Sequence, residues 1–100
     1  MDMAKYRDLF ISETREHLDQ MGRLLLELEK QPEDEECLAA LFRQAHSVKG
    51  MAASMGYTAM SELAHALEDL LDLGRQAGRL QPDQVDRLLA GCDLLEGQLA

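Results

Sequence analysis

Residues 38–55 read LAALFRQAHSVKGMAASM, and their apolar pattern decides the fold. Apolar residues recur there at alternating intervals of three and four positions, which places them along one side of an α-helix. They are Leu38, Leu41, Ala45, Val48, Ala52 and Met55. A half-buried strand would alternate with period two, and no stretch of the chain does so. The pattern therefore predicts an amphipathic helix that turns one side toward a core.

Three further stretches repeat this spacing, and short connections separate them. The four predicted helical stretches cover residues 3–30, 34–55, 58–76 and 82–99. The breaks between them contain Pro32, Gly56 and Pro82, together with the segment 74–78 bounded by two glycines. The other predicted core positions are Ile11, Thr14, Leu18, Met21, Leu25 and Leu28; Met60, Leu63, Leu67, Leu70 and Gly74; and Val85, Leu88, Cys92, Leu95 and Leu99. Because short connections make neighbouring helices antiparallel, we predict an all-α, up-down antiparallel four-helix bundle.

Capping residues mark where these helices are predicted to begin. Asp34 marks the start of the second stretch, Thr58 with Glu62 a turn later the start of the third, and Gln81-Pro82 the start of the fourth. The length suits a single domain, residues 1–100. The composition is still helical at residues 96–100, so we expect this domain to be the N-terminal part of a longer protein.

The composition excludes several classes of partner. The chain carries 10 Lys and Arg against 19 Asp and Glu, a net charge of -9 with neutral histidines. Nucleic acids and anionic membranes bind basic surfaces, so this balance argues against both as partners. No apolar stretch approaches the roughly 20 residues of a transmembrane helix, so we expect no membrane insertion. Cys37 and Cys92 are too few for a disulfide framework, which predicts reduced thiols and a cytoplasmic location.

Motifs of the common catalytic and cofactor sites are missing from the sequence. It has no glycine-rich phosphate-binding loop, no cysteine pair with zinc spacing and no recognisable serine or cysteine nucleophile motif. We therefore expect no cofactor, no metal and no ATP site. The remaining chemistry lies with His17, His46 and His65. His17 lies next to the predicted core positions and is interpreted as a surface or boundary histidine.

The neighbours of His46 on the predicted helix set it apart. It lies just beside the core positions, and Lys49, Gly50 and Ala53 share its side of the helix. A glycine inside a helix costs about 1 kcal/mol against alanine, so Gly50 needs a compensating role. The simplest role is room for a protein domain that brings a phosphoryl group to the imidazole, with Lys49 stabilising the incoming charge. The alternative is a boundary histidine beside a helix-packing glycine.

A carboxylate on the third predicted helix is placed to contact the His46 ring. His46 precedes the turn near Gly56 by about as many residues as Glu68 follows it, so antiparallel packing puts the two at one height. A hydrogen bond from one ring nitrogen to Glu68 would fix the tautomer and leave the other nitrogen a lone pair for attack. It would also stabilise positive charge developing on the ring. The alternative for Glu68 is a solvated surface carboxylate that does not contact His46. The alternative for His65 is a simple side-chain pairing with Glu68, three positions further along the same helix.

These residues carry a resemblance that covers nearly the whole chain. The run HSVKG at 46–50, the later Gly56-Tyr57, and then His65 and Glu68 resemble the histidine phosphotransfer (HPt) domain at the N-terminus of the CheA family of chemotaxis histidine kinases. The opening run KYRDLFISE, residues 5–13, is similar to the first helix of those domains. The resemblance implies that His46 is the phosphorylated residue. It also implies that Lys49, His65 and Glu68 are the polar residues around it, with Glu68 bonding the ring.

The resemblance further implies a phosphoryl relay. His46 would receive a phosphoryl group from ATP through a separate ATP-binding kinase domain and pass it to an aspartate of a response-regulator receiver domain. The domain itself would be a phosphocarrier without an ATP site, monomeric when isolated, and the full-length parent would be a histidine protein kinase. The acidic net charge suits docking on a basic patch of a partner.

Two other functional classes stay open on the residues alone. One is a metal-binding bundle that uses His46, His65 and Glu68. Carboxylate-bridged metal bundles carry Glu-x-x-His motifs on more than one helix, whereas this chain has the reverse order, and on one helix only. The other is a scaffolding bundle that docks partners without chemistry, and it would carry no acid-labile phosphate.

Overall fold

Four helices arranged as a closed bundle make up the fold. In the computed structural model, which describes residues 2–99, α1 covers Met3–Lys30, α2 Glu35–Ser54, α3 Thr58–Ala77 and α4 Pro82–Gln98. Residues 2–99 contain no strand. Helices adjacent in sequence pack on one another, and α4 returns to pack on α1. The predicted all-α bundle is therefore confirmed, and no helix boundary differs from its prediction by more than one residue.

Local interactions explain where the helices begin and end. The side chain of Asp34 caps α2, as predicted, by accepting a backbone hydrogen bond at 3.1 Å. The cap predicted at Thr58 is wrong by one residue. Tyr57 is the capping residue, because its carbonyl accepts the first backbone hydrogen bond of α3, from Ser61. The Tyr57 side chain makes no capping hydrogen bond. Gly78 ends α3 with φ at 81°, a left-handed conformation that glycine adopts without steric cost.

The core follows the predicted positions closely on α1, α2 and α4. Its largest fully buried apolar side chains are Met21, Leu25, Leu28, Leu38, Leu41, Val48, Leu71, Leu88 and Leu95. Two predicted positions differ: Phe10, in the third turn of α1, is buried in place of Ile11, and Met55, which directly follows α2, is only partly buried. Both lie near the end of the bundle, where a helix has fewer neighbours to cover it.

The side of α3 that faces the core is rotated from the side that the sequence pattern predicts. Ala64 and Leu71 are fully buried, while the predicted Leu63 and Leu70 are only partly buried. The cause lies in the packing, because the contact between α2 and α3 is the most extensive one in the bundle. Turning α3 toward α2 brings Glu68, which is 7% exposed, into the interface.

The other side of α3 meets α4 at a glycine. A Cβ on Gly91 would overlap Cδ2 of Leu67, so the Leu67 side chain fills the space that the glycine leaves. This close approach compensates for the roughly 1 kcal/mol by which a glycine weakens a helix interior. Leu67 and Glu68 are adjacent in sequence, so the packing of Leu67 on α4 helps set the direction in which Glu68 points.

Several further features bear on stability and exposure. The hydroxyl of Thr14 is buried and has no hydrogen-bond partner among residues 2–99. Cys37 and Cys92 are both buried and free. The described part of the chain has no helix that is both long enough and apolar enough to cross a membrane.

Candidate functional site

His46 lies on the outside of α2 and is hydrogen-bonded to a carboxylate from α3. The His46 side chain is 65% exposed, whereas that of Glu68 is 10% exposed. His46 Nδ1 lies 2.6 Å from Glu68 Oε2, so the two residues meet at one height, as predicted. The contact with Glu68 fixes Nδ1 of the ring, while the His46 side chain as a whole remains open to solvent.

The charge of Glu68 is stabilised by two cationic or donor groups of α2. Lys49 Nζ donates to Glu68 Oε1 at 2.9 Å, and His46 contacts the other carboxylate oxygen. Burial opposes the charged form of Glu68, but the hydrogen bonds and charges of Lys49 and His46 outweigh it and hold the pKa of this carboxyl below its ordinary value. Glu68 is therefore ionised at neutral pH and can only accept hydrogen bonds. This assigns the proton of the neutral imidazole to Nδ1 and the lone pair to Nε2.

The surface beside the ring is open, as the helical position of Gly50 predicts. Gly50 and Ala53 are both exposed. Apart from its chain neighbours and the nearby backbone of α2 itself, a Cβ placed on Gly50 would meet no heavy atom within 4 Å. Gly50 therefore has no close packing neighbour that requires it, in contrast to Gly91. The alternative of a helix-packing glycine beside a boundary histidine does not fit this geometry.

Lys49 makes a contact that sequence reasoning missed. Its ammonium group was expected to face an incoming negative charge, and the structure instead places it on the carboxylate of Glu68. Ser61, another residue that the sequence did not single out, donates from its hydroxyl to the Lys49 carbonyl at 3.3 Å. Lys49 is thus joined to α3 at both its backbone and its side chain, which ties the two helices together beside His46.

His65 lies on the same helix as Glu68 but contacts a different carboxylate. His65 Nε2 is 3.6 Å from Asp69 Oδ1, and both side chains are more than half exposed. The predicted pairing of His65 with Glu68 along the helix is therefore replaced by a pairing with the residue four positions on. Exposed pairs of this kind add little to stability.

The cluster that could hold a metal differs from the predicted set. Among residues 2–99, the one group of potential ligands with atoms within 4.8 Å of one another is His65, Glu68 and Asp69. Glu68 is shared with His46 and Lys49, and the other two members are exposed. The predicted set of His46, His65 and Glu68 is not the group that the structure brings together.

Two more residues that the sequence did not single out belong to these surroundings: Phe42 lies beside His46, and Arg75 lies against Phe42. The ring of Phe42 lies parallel to the imidazole, with an interplanar angle of 11° and centroids 6.3 Å apart. The guanidinium carbon of Arg75 lies 4.5 Å from the centroid of the Phe42 ring. Phe42 precedes His46 by four residues, so the helical i, i+4 relation could have indicated this neighbour. The approach of Arg75 depends on the rotation of α3 and could not have been found in this way.

His17 lies apart from this cluster. It is partly buried on α1, and its Nδ1 is hydrogen-bonded to the side-chain oxygen of Gln44 on α2. This contact satisfies one ring nitrogen at a helix–helix boundary, in agreement with its interpretation as a boundary histidine.

Comparisons with known proteins agree on one family. The Hpt domain family model matches residues 5–98. The chemotaxis protein CheA of Bacillus subtilis is 44% identical over 97 residues, which is 96% of this chain and 14% of that protein. The CheA phosphotransferase domain from Thermotoga maritima superposes with a TM-score of 0.95 at 38% identity, covering 99% of this chain and 95% of that one.

A third similar structure is that of a complex. The phosphorylated P1 domain of CheA3 from R. sphaeroides, crystallised in complex with CheY6, superposes with a TM-score of 0.89 at 31% identity. The match covers 97% of this chain and 77% of that one. The sequence thus matches these domains along almost its whole length, while it spans only a small part of the curated full-length relative.

Proposed function

This chain belongs to the Hpt domain family, and from that premise we propose that it carries a phosphoryl group on Nε2 of His46. The observation that supports this assignment most strongly is the 2.6 Å contact between Glu68 and Nδ1 of an imidazole that is 65% exposed. A buried carboxylate on one nitrogen and open solvent at the other are what a nucleophilic imidazole requires.

The first chemical step is attack by His46 on ATP held by a separate kinase domain. The Nε2–phosphorus bond forms, the bond from the γ-phosphorus to its bridging oxygen breaks, and ADP leaves with that electron pair. Glu68 keeps the proton on Nδ1 throughout, so the lone pair stays on Nε2. The imidazole becomes positively charged as the new bond forms, and the adjacent carboxylate stabilises that charge.

The second step passes the group to an aspartate of a response-regulator receiver domain. A carboxylate oxygen of the aspartate attacks phosphorus, the Nε2–phosphorus bond breaks, and its electron pair returns to the ring. The complex of the R. sphaeroides P1 domain with CheY6 supports a partner of this class. Both steps need a partner at the exposed side of His46, and the open surface at Gly50 provides access.

Lys49 and His65 are proposed as supporting residues with different tasks. Lys49 holds the Glu68 carboxylate in place and partly offsets the added phosphoryl charge of about -1.5 to -2 at neutral pH. His65 is a polar neighbour paired with Asp69 at the edge of the site. We expect replacement of Lys49 to slow phosphorylation and replacement of His65 to have a smaller effect.

We further propose that the parent protein of this chain supplies the phosphoryl donor. The chain would form the N-terminal part, residues 1–100, of a longer histidine kinase whose ATP-binding domain is the phosphoryl donor. The 14% share of the B. subtilis relative that it spans leaves room for such a domain. A monomeric isolated domain and a cytoplasmic location stay predictions.

The test of His46 uses two phosphoryl donors. The first is B. subtilis CheA lacking its own segment homologous to this chain, with ATP labelled on the γ-phosphate. The second is phosphoramidate, a small donor that needs no protein docking. The wild-type chain should gain an acid-labile, alkali-stable phosphate from both donors. His46→Gln should gain none from the kinase, and with phosphoramidate it should lack the label that the wild type carries on residue 46.

His17→Gln and His65→Gln are the matched controls, since each removes an imidazole while leaving the His46–Glu68 contact in place. Both should retain the label. Labelling of His46→Gln at the wild-type level would refute the assignment, and so would a wild-type chain that accepts phosphate from neither donor.

A further inference from the structure

The imidazole of His46 is restrained from two directions. Its Nδ1 is bound to Glu68, which fixes one point of the ring. One hydrogen bond leaves the ring free to tilt about the line joining the two bonded atoms. On α2, Phe42 presents a ring parallel to the imidazole within 11°, at a centroid distance of 6.3 Å. Aromatic pairs at such separations attract one another in preferred orientations, so Phe42 restrains the remaining tilt.

The Phe42 ring is itself held by a residue from the neighbouring helix. Phe42 is partly buried and packs against the core, which anchors one part of its ring. Arg75 on α3 places its guanidinium carbon 4.5 Å from the centroid of that ring, within the range of a cation–π contact. The one ion pair of Arg75 within residues 2–99 is a 4.0 Å contact to Asp72, and both side chains are more than 40% exposed. That pair is too long and too exposed to fix the guanidinium by itself.

We propose that Phe42 and Arg75 are positioning residues for the phosphoacceptor, with Arg75 holding Phe42 and Phe42 fixing the plane of the His46 ring. This inference rests on the proposed function of His46. It assigns two separate tasks to the surroundings of the imidazole. Glu68 determines which nitrogen carries the lone pair, and the Phe42–Arg75 pair determines where that lone pair points.

The two tasks have different kinetic consequences. A kinase domain presents ATP in one fixed orientation, so a ring free to tilt spends less time aligned for attack, and kcat falls. A small donor such as phosphoramidate approaches the ring from any direction, so loss of alignment costs it little. Loss of the tautomer, by contrast, reduces the reactivity of Nε2 toward both donors.

The experiment measures both donors on Phe42→Leu and Arg75→Gln. With the truncated B. subtilis CheA and ATP, we expect kcat to fall by about two- to tenfold, the range that corresponds to a single aromatic contact, with KM unchanged. With phosphoramidate, the rate constants of both variants should equal that of the wild type. Phe42→Tyr and Arg75→Lys keep a ring and a cation, so they should restore most of kcat.

Arg43→Gln is the matched charge control for Arg75→Gln. Arg43 is an exposed cation on α2, one helical turn before His46, and its replacement changes the net charge by the same amount. It should leave kcat unchanged. NMR supplies an independent readout, because the His46 ring protons should lose a ring-current shift in Phe42→Leu and keep it in Phe42→Tyr. Thermal unfolding of each variant checks that the bundle is intact.

Each other outcome identifies a specific failure. A raised KM with unchanged kcat would make Phe42 and Arg75 docking contacts and would overturn the positioning role. Equal slowing with both donors would place their effect on the nucleophile itself and would also overturn it, as would wild-type kcat in both variants. The proposed function fails separately, through labelling of His46→Gln at the wild-type level or through no labelling of the wild-type chain by either donor.

Discussion

The two sides of α3 are built differently, although adjacent residues form them. On one side Leu67 packs into the space left by Gly91 on α4, a dry contact between apolar atoms. On the other side Glu68 accepts hydrogen bonds from His46 and Lys49 on α2. The apolar side supplies stability, and the polar side is where we propose that the chemistry takes place. Because both residues belong to one rigid helix, the packing of the first determines where the second can point.

Loss of the apolar packing on α3 should have the greatest consequence. Leu67→Ala removes a buried side chain at the Gly91 contact and should lower the free energy of unfolding by about 2–5 kcal/mol. Leu73→Ala on the same helix is the control, because Leu73 is 57% exposed. Its effect should stay within about 0.5 kcal/mol. Denaturant titration measures both, and equal losses in the two variants would contradict the difference drawn between the two sides.

A substitution on the polar side of α3 should have the next largest effect and leave the packing intact. Glu68→Gln keeps the size of the side chain but removes its charge, so the amide no longer dictates the His46 tautomer. A hydrogen bond to a charged group contributes about 1.5–3 kcal/mol, so phosphorylation should slow by about ten- to 150-fold. The rate of label incorporation from ATP measures this. A wild-type rate in a folded Glu68→Gln variant would remove Glu68 from the mechanism.

The same substitution of glycine by alanine, made on each of two helices that pack on α3, separates helix preference from packing. Gly50→Ala should raise the free energy of unfolding by about 1 kcal/mol, because alanine favours the helix and its Cβ meets nothing. Gly91→Ala gains the same preference but displaces Leu67, and overpacking of this kind costs about 1–3 kcal/mol. The unfolding free energies of the two variants should differ by that cost.

If Gly50 is kept for partner access, Gly50→Ala should also slow transfer from the kinase while it leaves phosphoramidate labelling unchanged.

The smallest effect is a dependence of stability on pH. The pKa of Glu68 is lower in the folded chain than its ordinary value of 4.5, so the unfolded chain binds the proton more readily. The stability from Glu68 is fully present above pH 4.5 and is lost as the pH falls below it, through the lower folded pKa. On acidification, the unfolding free energy of the wild type should therefore fall relative to that of Glu68→Gln. A difference independent of pH over that range would contradict the shift.

Much of this arrangement follows from the sequence. Spacing of apolar residues and the positions of Pro32, Gly56 and Pro82 predict four helices to within one residue. Counting outward from the turn at Gly56 predicts that His46 and Glu68 meet, because two straight antiparallel helices share one rise per residue. Both results depend only on regular backbone geometry.

The remaining features depend on packing that periodicity does not encode. The burial of Leu71 in place of Leu70 reflects a rotation of α3 set by its neighbours on two sides. That rotation decides whether Arg75 reaches Phe42 and whether the Lys49 ammonium finds Glu68 instead of solvent. Side chains as long as Lys and Arg can reach several partners, and the backbone alone does not choose between them.

The tautomer of His46 shows most directly whether Glu68 leaves the lone pair on the exposed nitrogen of the ring. Long-range proton–nitrogen NMR correlations at mildly alkaline pH distinguish a protonated ring nitrogen from one that carries a lone pair. We expect His46 to carry its proton on Nδ1, beside Glu68, with Nε2 unprotonated, and Glu68→Gln to give a mixture of tautomers. A wild-type His46 protonated mainly on Nε2 would contradict this expectation, because no lone pair would then face the open side of the ring.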